Sequence, residues 1–267
     1  MKRILVLATA LFFMVLPACG QDWAKQTLEK SHRHQEWVQI KHDNRTVHAF
    51  IVYPETKGKA TAVIVIHEIF GLSDWARSVA DQLAAAGYIA IAPDLLSGFG
   101  PNGGKSSDFP DRDATVQAVS KLDPDTVTAD LNATADYLKK LPSSNGKIVV
   151  SGFCWGGSQS FRFAANRHDL SAAFVFYGGA PKDVSSITAP VYGFYGGTDA
   201  RVTASVAPTT DAMKQAGKKY DPVTYEGAGH GFMRSGEDPG GTEPGHEANQ
   251  KAREQAWQRW LGVLKTL

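Results

Sequence analysis

Residues 148–157 read Ile148-Val149-Val150-Ser151-Gly152-Phe153-Cys154-Trp155-Gly156-Gly157. An apolar run of strand type passes directly into a glycine-framed turn and then into a helical pattern. In so tight a turn, side chains at positions 152 and 156 would collide, so glycine is needed at both. The central residue is held at strained dihedrals with its side chain presented outward. These are the requirements of a nucleophile elbow, here with Cys in place of Ser. The bare spacing is a weak signal. Two facts strengthen it: its place at a strand-to-helix junction, and Cys154 being the only Cys beyond Cys19. A cysteine that merely packs needs no flanking glycines.

Outward from the elbow, continuous apolar runs recur at Ala62–Ile66, Tyr88–Ala92, Ala173–Tyr177 and Val191–Tyr195. Strands buried on both faces read this way, which argues for a parallel sheet. Between them, Asp74–Ala86, Val127–Leu141, Gln159–Asn166, Ser205–Ala216 and Glu243–Leu267 carry helical spacing. Upstream, Val38 and Ile40, then Val47, Ala49 and Ile51, alternate on either side of Asp43-Asn44, predicting an antiparallel hairpin at the sheet edge. The expected fold class is α/β: one doubly wound, mostly parallel sheet with an N-terminal antiparallel hairpin, in a single domain over 36–267. Two long segments, 97–113 and 235–245, stand outside the alternation. They read equally as functional loops or as surface insertions.

A thiol that attacks carbonyl carbon needs a base and a group to orient that base. Asp199 follows the run Val191–Tyr195 within Gly196-Gly197-Thr198-Asp199. His230 follows Val223–Tyr225 within Gly229-His230-Gly231. Nucleophile, acid, histidine is the chain order of the α/β-hydrolase fold, and loops at the carboxyl ends of parallel strands gather at one edge. The alternatives are a helix-capping Asp199 and a solvated His230. His32 and His34, an i, i+2 pair without a Cys or carboxylate cluster, do not make a metal site, and no metal is expected.

The 267 residues carry 28 Lys+Arg against 27 Asp+Glu. This balance gives no reason to expect a nucleic-acid partner. The chain opens Met1-Lys2-Arg3 and then runs apolar from Ile4 to Leu16, too short for a bilayer span and suited to a signal peptide over 1–18. Leu16-Pro17-Ala18-Cys19 resembles a lipobox, with Cys19 as the lipid acceptor. Cleavage nearby without lipidation is the alternative. The expectation is an exported chain, periplasmic or anchored as a lipoprotein and less readily secreted, with residues 19–35 as a polar linker, its part from residue 21 reading equally as a loosely docked arm.

Five phrases in order, His67-Glu68-Ile69-Phe70-Gly71, Ala92-Pro93-Asp94-Leu95, Gly152 to Gly157, Gly196 to Asp199 and Gly229-His230-Gly231-Phe232, resemble the dienelactone hydrolase (carboxymethylenebutenolidase) family over about 36–265. The resemblance implies a triad of Cys154, His230 and Asp199, with the backbone N–H groups of Ile69 and Trp155 as oxyanion hole. Glu68 would contribute to activating the thiol, unless it is only a strand-end salt bridge. Members that open dienelactone grip its carboxylate with two arginines. Arg234 matches one; where the other would stand the chain has Leu96-Ser97-Gly98. Arg234 then reads either as a substrate contact or as a partner of Glu237 or Asp238.

The combined expectation is a hydrolase that cleaves a lactone or other carboxylic ester, a small molecule, through a covalent thioester and without a cofactor. Phe70, Trp155 and Phe232 are candidate pocket walls or core residues. The alternatives are an exported binding protein that keeps the fold without turnover and, last, thiol redox chemistry, for which the exported chain has no resolving Cys.

Overall fold

The computed structural model describes residues 22–267. The expected signal peptide over 1–18 and the lipid acceptor Cys19 lie outside the described residues. In chain order the elements are α1 (Asp22–Glu29), β1 (Gln35–His42), β2 (Arg45–Val52), β3 (Ala60–Ile66), α2 (Asp74–Ala85), β4 (Ile89–Pro93), α3 (Arg112–Ser120), α4 (Pro124–Lys140), β5 (Ser144–Phe153), α5 (Trp155–Asn166), β6 (Ala172–Phe176), β7 (Val191–Gly196), α6 (Ala200–Thr203), α7 (Val206–Gln215), β8 (Tyr220–Tyr225), α8 (Phe232–Ser235) and α9 (His246–Leu264).

The strands form one eight-stranded sheet in the order β1-β2-β4-β3-β5-β6-β7-β8. The hairpin β1–β2 is antiparallel and joins β4 antiparallel, while every pair from β4 through β8 is parallel. Strands β4, β6 and β7 are buried at every position and β1 alternates. This is the difference the apolar runs predicted, because only the inner strands are covered on both faces. Successive side chains divide between two cores. Val63, Val65 and Phe153 join Trp75 and Trp260 on one face; Ile64, Ile66 and Val150 join Leu131 and Phe161 on the other.

Of the two readings of the segment ahead of β1, linker or loosely docked arm, the second holds among the described residues. Helix α1 buries Ala24 and Leu28 in the first core. Beyond it Ser31, Arg33 and Gln35 all donate to Asp81 of α2, itself 1% exposed, with the closest guanidinium contact at 2.5 Å. One turn of apolar contact is too short to show as a period, and the anchoring groups are polar, so composition alone read the stretch as solvated.

The 97–113 segment is likewise pinned. Asp94, 1% exposed, accepts hydrogen bonds from Leu96 N, Ser106 N and Ser106 Oγ, and Ser106 Oγ also accepts from Leu72 N. Helix α3, which the hydrophobic pattern did not reveal, follows at once, capped by Asp111.

Removing Arg33 leaves a carboxylate buried with two neutral donors. We expect Arg33→Ala to cost about 3 kcal/mol, read as a lower urea midpoint at unchanged slope. A change under about 0.5 kcal/mol, the level of ordinary surface substitutions, would show the arm to be undocked.

Candidate active site

Strand β5 delivers Cys154 to the carboxyl edge of the sheet, where it becomes the N-cap of α5 with φ 56° and ψ −116°. A non-glycine residue there is strained. The strain is sustained by close backbone packing. A Cβ at Gly152 would strike the carbonyl of Gly156, one at Gly156 would strike the carbonyls of Ile66 and His67, and one at Gly157 the carbonyl of Phe176. The expected collision is therefore not between two side chains. Each glycine admits a neighbouring strand or turn. Cys154 N–H donates to Phe176 O at 3.0 Å, which fixes the elbow to β6.

The other two strand ends converge on it. Gly196, at the end of β7, lies against the carbonyls of Ala228 and Gly229, and Thr198 donates to Ala228 O through both N–H and Oγ1 at 2.9 Å. The loops carrying Asp199 and His230 are thereby zipped together. His230 Nε2 stands 3.1 Å from Cys154 Sγ, and Nδ1 hydrogen-bonds Asp199 Oδ2 at 2.5 Å. The other oxygen of Asp199 accepts from Val202 N at 3.4 Å, so the residue caps α6 and orients the imidazole at once. His230 is pushed up to about 9, chiefly by its hydrogen bond with Cys154; burial opposes this and Asp199 adds to it. The raised pKa favours the protonated ring, the form in which both ring nitrogens can donate.

A second charged group stands beside the triad. Glu68, 3% exposed, receives Arg234 Nε at 2.7 Å on Oε2 and Tyr177 Oη at 3.4 Å on Oε1. Burial opposes the Arg234 charge, yet Glu68 beside it carries the guanidinium above its ordinary range. Tyr177 is raised well above the usual phenol value by its complete burial, and its ring meets His230 edge-on at 5.1 Å. Glu68 is therefore the strand-end salt bridge, and Tyr177 joins it to the histidine of the triad. Arg234 pairs with neither Glu237 nor Asp238. Glu237 instead accepts from Trp75 Nε1 and Gln82 Nε2 and pairs with Arg253, which ties the 235–245 segment to α2 and α9.

Trp155 opens α5, so its N–H has no intrahelical acceptor. Its ring lies parallel to that of His67 at 5.5 Å. His67 is fully buried, which lowers its pKa, and its Nδ1–H donates to Glu68 O at 2.7 Å. Ile69 and Phe70 follow on the same half-buried turn. Phe232 is corrected as a pocket wall: it is fully buried, packed on Tyr177 and Tyr225 beneath the site.

Three contributors escaped the sequence reading. Tyr177, at φ 42°, follows β6 as Cys154 follows β5. Asn249 of α9 holds the histidine loop through Gly229 N at 2.8 Å. Arg112 of α3 places its guanidinium 3.9 Å over the Phe70 ring, with Arg234 on the same ring at 5.3 Å. The Tyr177-Gly178-Gly179 sequence after a strand was a usable signal for the first; the others are brought in by tertiary packing alone.

The dienelactone hydrolase family model matches residues 47–267. The chain belongs to the dienelactone hydrolase family. A Salmonella typhimurium relative named "Putative carboxymethylenebutenolidase" is 34% identical over 219 residues, 76% of each chain. A Bradyrhizobium relative named "Probable 2-oxo-3-(5-oxofuran-2-ylidene)propanoate lactonase" is 29% identical, over 74% of this chain and 83% of its own. A solved structure from Klebsiella pneumoniae, described as a "Putative Dienelactone Hydrolase", superposes with a TM-score of 0.75 at 26% identity. It covers 89% of this chain and all of that one. The family and its α/β-hydrolase architecture are those the five phrases led us to expect.

The raised His230 has two measurable consequences. In wild type its NMR titration midpoint should lie near 9, and in Cys154→Ala it should fall by at least one unit, because the largest cause is gone. A histidine raised on folding stabilises the fold fully below about 6.5, its unfolded value. That contribution is lost as pH rises through about 9. The melting temperature of wild type should therefore decline across this window more than that of Cys154→Ala.

Proposed function

We propose that this carboxylic ester hydrolase cleaves a lactone or other ester by nucleophilic attack of Cys154. The observation that carries the reading is the unbroken chain of contacts from Sγ to Nε2 and from Nδ1 to the Asp199 carboxylate, built on a strained elbow. The sulfur attacks the carbonyl carbon, and the oxyanion is met by the N–H groups of Ile69 and Trp155. As the C–O bond breaks, His230 gives its proton to the departing alkoxide and a thioester remains. His230 then takes a proton from water, whose oxygen attacks the thioester. Departure of the sulfur releases the acid, and no cofactor is needed.

The Glu68–Arg234 pair gives the site a response to substrate charge. An anion that reaches Arg234 competes with Glu68 for the guanidinium, and the released carboxylate, joined to His230 through Tyr177, is a second proton acceptor that helps keep the sulfur ionised. Where the family pattern has its second arginine near position 97, this fold offers Arg112 over the Phe70 ring. A substrate carboxylate at Phe70 then lies within reach of two cations supplied by α3 and α8. Retention of the fold for binding alone is disfavoured by the complete, correctly spaced triad.

The apolar Ile4–Leu16 run and Leu16–Cys19 support export with a lipid on Cys19. Mass spectrometry of the mature N-terminus decides it: a diacylated or triacylated Cys19 supports anchoring, and an unmodified chain starting beyond Cys19 refutes it.

Cys154→Ala should fold normally, judged by circular dichroism, and lose at least about a thousandfold in kcat/KM on p-nitrophenyl esters, a typical share of nucleophile-dependent rate. Activity at the wild-type level would overturn the assignment of Cys154, whereas a wild type that hydrolyses no ester would leave the binding-protein reading. Arg112→Ala should cost about 1–2 kcal/mol, or five- to thirtyfold in kcat/KM, on esters with a carboxylate near the reacting carbonyl. Neutral esters should change less than twofold.

A further inference from the structure

Phe70 and Arg234 also line a cleft of about 460 Å³ whose other walls include Trp23, Trp37, Lys105 and Arg112. Its length follows from the sheet register. Trp37 pairs with Phe50, and Phe50 with Ala92. Ile64 pairs with Ile91, so Ala92 lies level with Val65, which pairs with Ser151 of β5. Four strand steps, β1 to β2 to β4 to β3 to β5, separate Trp37 from the strand that carries Cys154, about 19 Å at the usual spacing. The cleft thus reaches from the edge of the catalytic centre to the edge of the sheet, and its volume is that of a site for a drug-sized ligand.

The far end has its own chemistry. Trp37 is 46% exposed, one of two large apolar side chains so exposed among the described residues. Trp23 of α1 lines the same cleft and packs against the first core. Lys105 Nζ stands 5.9 Å from the Trp37 ring and has no carboxylate within ion-pair distance among the described residues, whereas the nearby Arg77 is paired to Asp74. An exposed indole, a second tryptophan and an ammonium that acts on Asp108 only through space together suit a planar ring that carries a negative charge. Trp23 and Trp37 both precede residue 47, where the family-model match begins.

We propose that Trp23, Trp37 and Lys105 form a distal subsite for an anionic aromatic group. The preferred substrate is then an extended ester whose carboxyaryl end lies about 10 Å or more from the scissile carbonyl, two or more strand spacings away. The position of the scissile bond rests on the hydrolase reading above; the subsite itself does not.

The test uses esters in which a 4-carboxyphenyl group is joined to the scissile ester through two, four or six methylenes, on the acyl or the alcohol side, with phenyl counterparts and p-nitrophenyl acetate for reference. At the best length the carboxyphenyl ester should exceed its phenyl counterpart at least tenfold in kcat/KM. Lys105→Ala should shrink that preference at least fivefold, and Trp37→Ala should lower both aryl esters at least fivefold relative to acetate. In parallel, calorimetry follows binding of 5-(4-carboxyphenyl)pentanamide to the Cys154→Ala protein, to the same protein carrying Lys105→Ala, and to the same protein carrying Trp37→Ala. Each added substitution should weaken binding at least fivefold. Binding that depends on Trp37 and Lys105 without hydrolysis of any ester would retain the subsite and overturn the hydrolase reading. Hydrolysis with no preference at any length, or a preference and binding indifferent to both substitutions, would overturn the subsite and retain the hydrolase.

Discussion

The structure depends on one close approach, that of the elbow backbone to the ends of its two neighbouring strands. Gly156 lies on the carbonyls that end β3, and Gly157 on the carbonyl that ends β6. A methyl group at either place would push α5 off the sheet edge. The stacked rings of Phe153, Phe176 and Phe194, 4.6 and 4.3 Å apart, with Trp260 edge-on at 4.9 Å, brace the same strand ends from one face. A close-packed interior transmits rather than absorbs displacement. The unfavourable dihedrals of Cys154 are consequently over-determined by packing, and the sulfur meets the imidazole without an order–disorder step.

Around that point the charges form two linked pairs. Asp199 and His230 make one, Glu68 and Arg234 the other, and Tyr177 touches both by lying on the imidazole and donating to Glu68. Buried carboxylates persist only when paired and hydrogen-bonded, and each of these is engaged through both oxygens. Under the proposed reading, a negatively charged substrate that competes for Arg234 alters the partner of Glu68, and this single salt bridge then links recognition to proton acceptance.

Away from the thiol, the irregular segments act as walls. Asp94 holds 96–106 against the turn after β3, Glu237 holds 235–245 against α2 and α9, and Asp81 holds the N-terminal arm. In each case a carboxylate withdrawn from solvent gathers the donors that join an irregular segment to the helices and strands beside it. Such anchoring orders loops without a hydrophobic period, and it shapes the cleft lined by Trp23, Trp37 and Lys105.

The chain's own pattern determined the sheet, its parallel character, the edge hairpin and the three loops that carry Cys154, Asp199 and His230. These follow from local constraints: two-sided burial writes continuous apolar runs, and a tight turn admits only glycine beside its strained residue. Asp199 could be read as cap or as orienting acid, and only the folded geometry showed that its two oxygens do both. The partner of Arg234, the burial of Phe232, the arrival of Arg112 over Phe70 and the docking of residues 22–35 were likewise decided by tertiary structure. Their interactions join positions far apart in sequence, Glu68 with Arg234 and Arg33 with Asp81. Which polar groups become neighbours depends on how strands are ordered and loops folded back, and no local period records that.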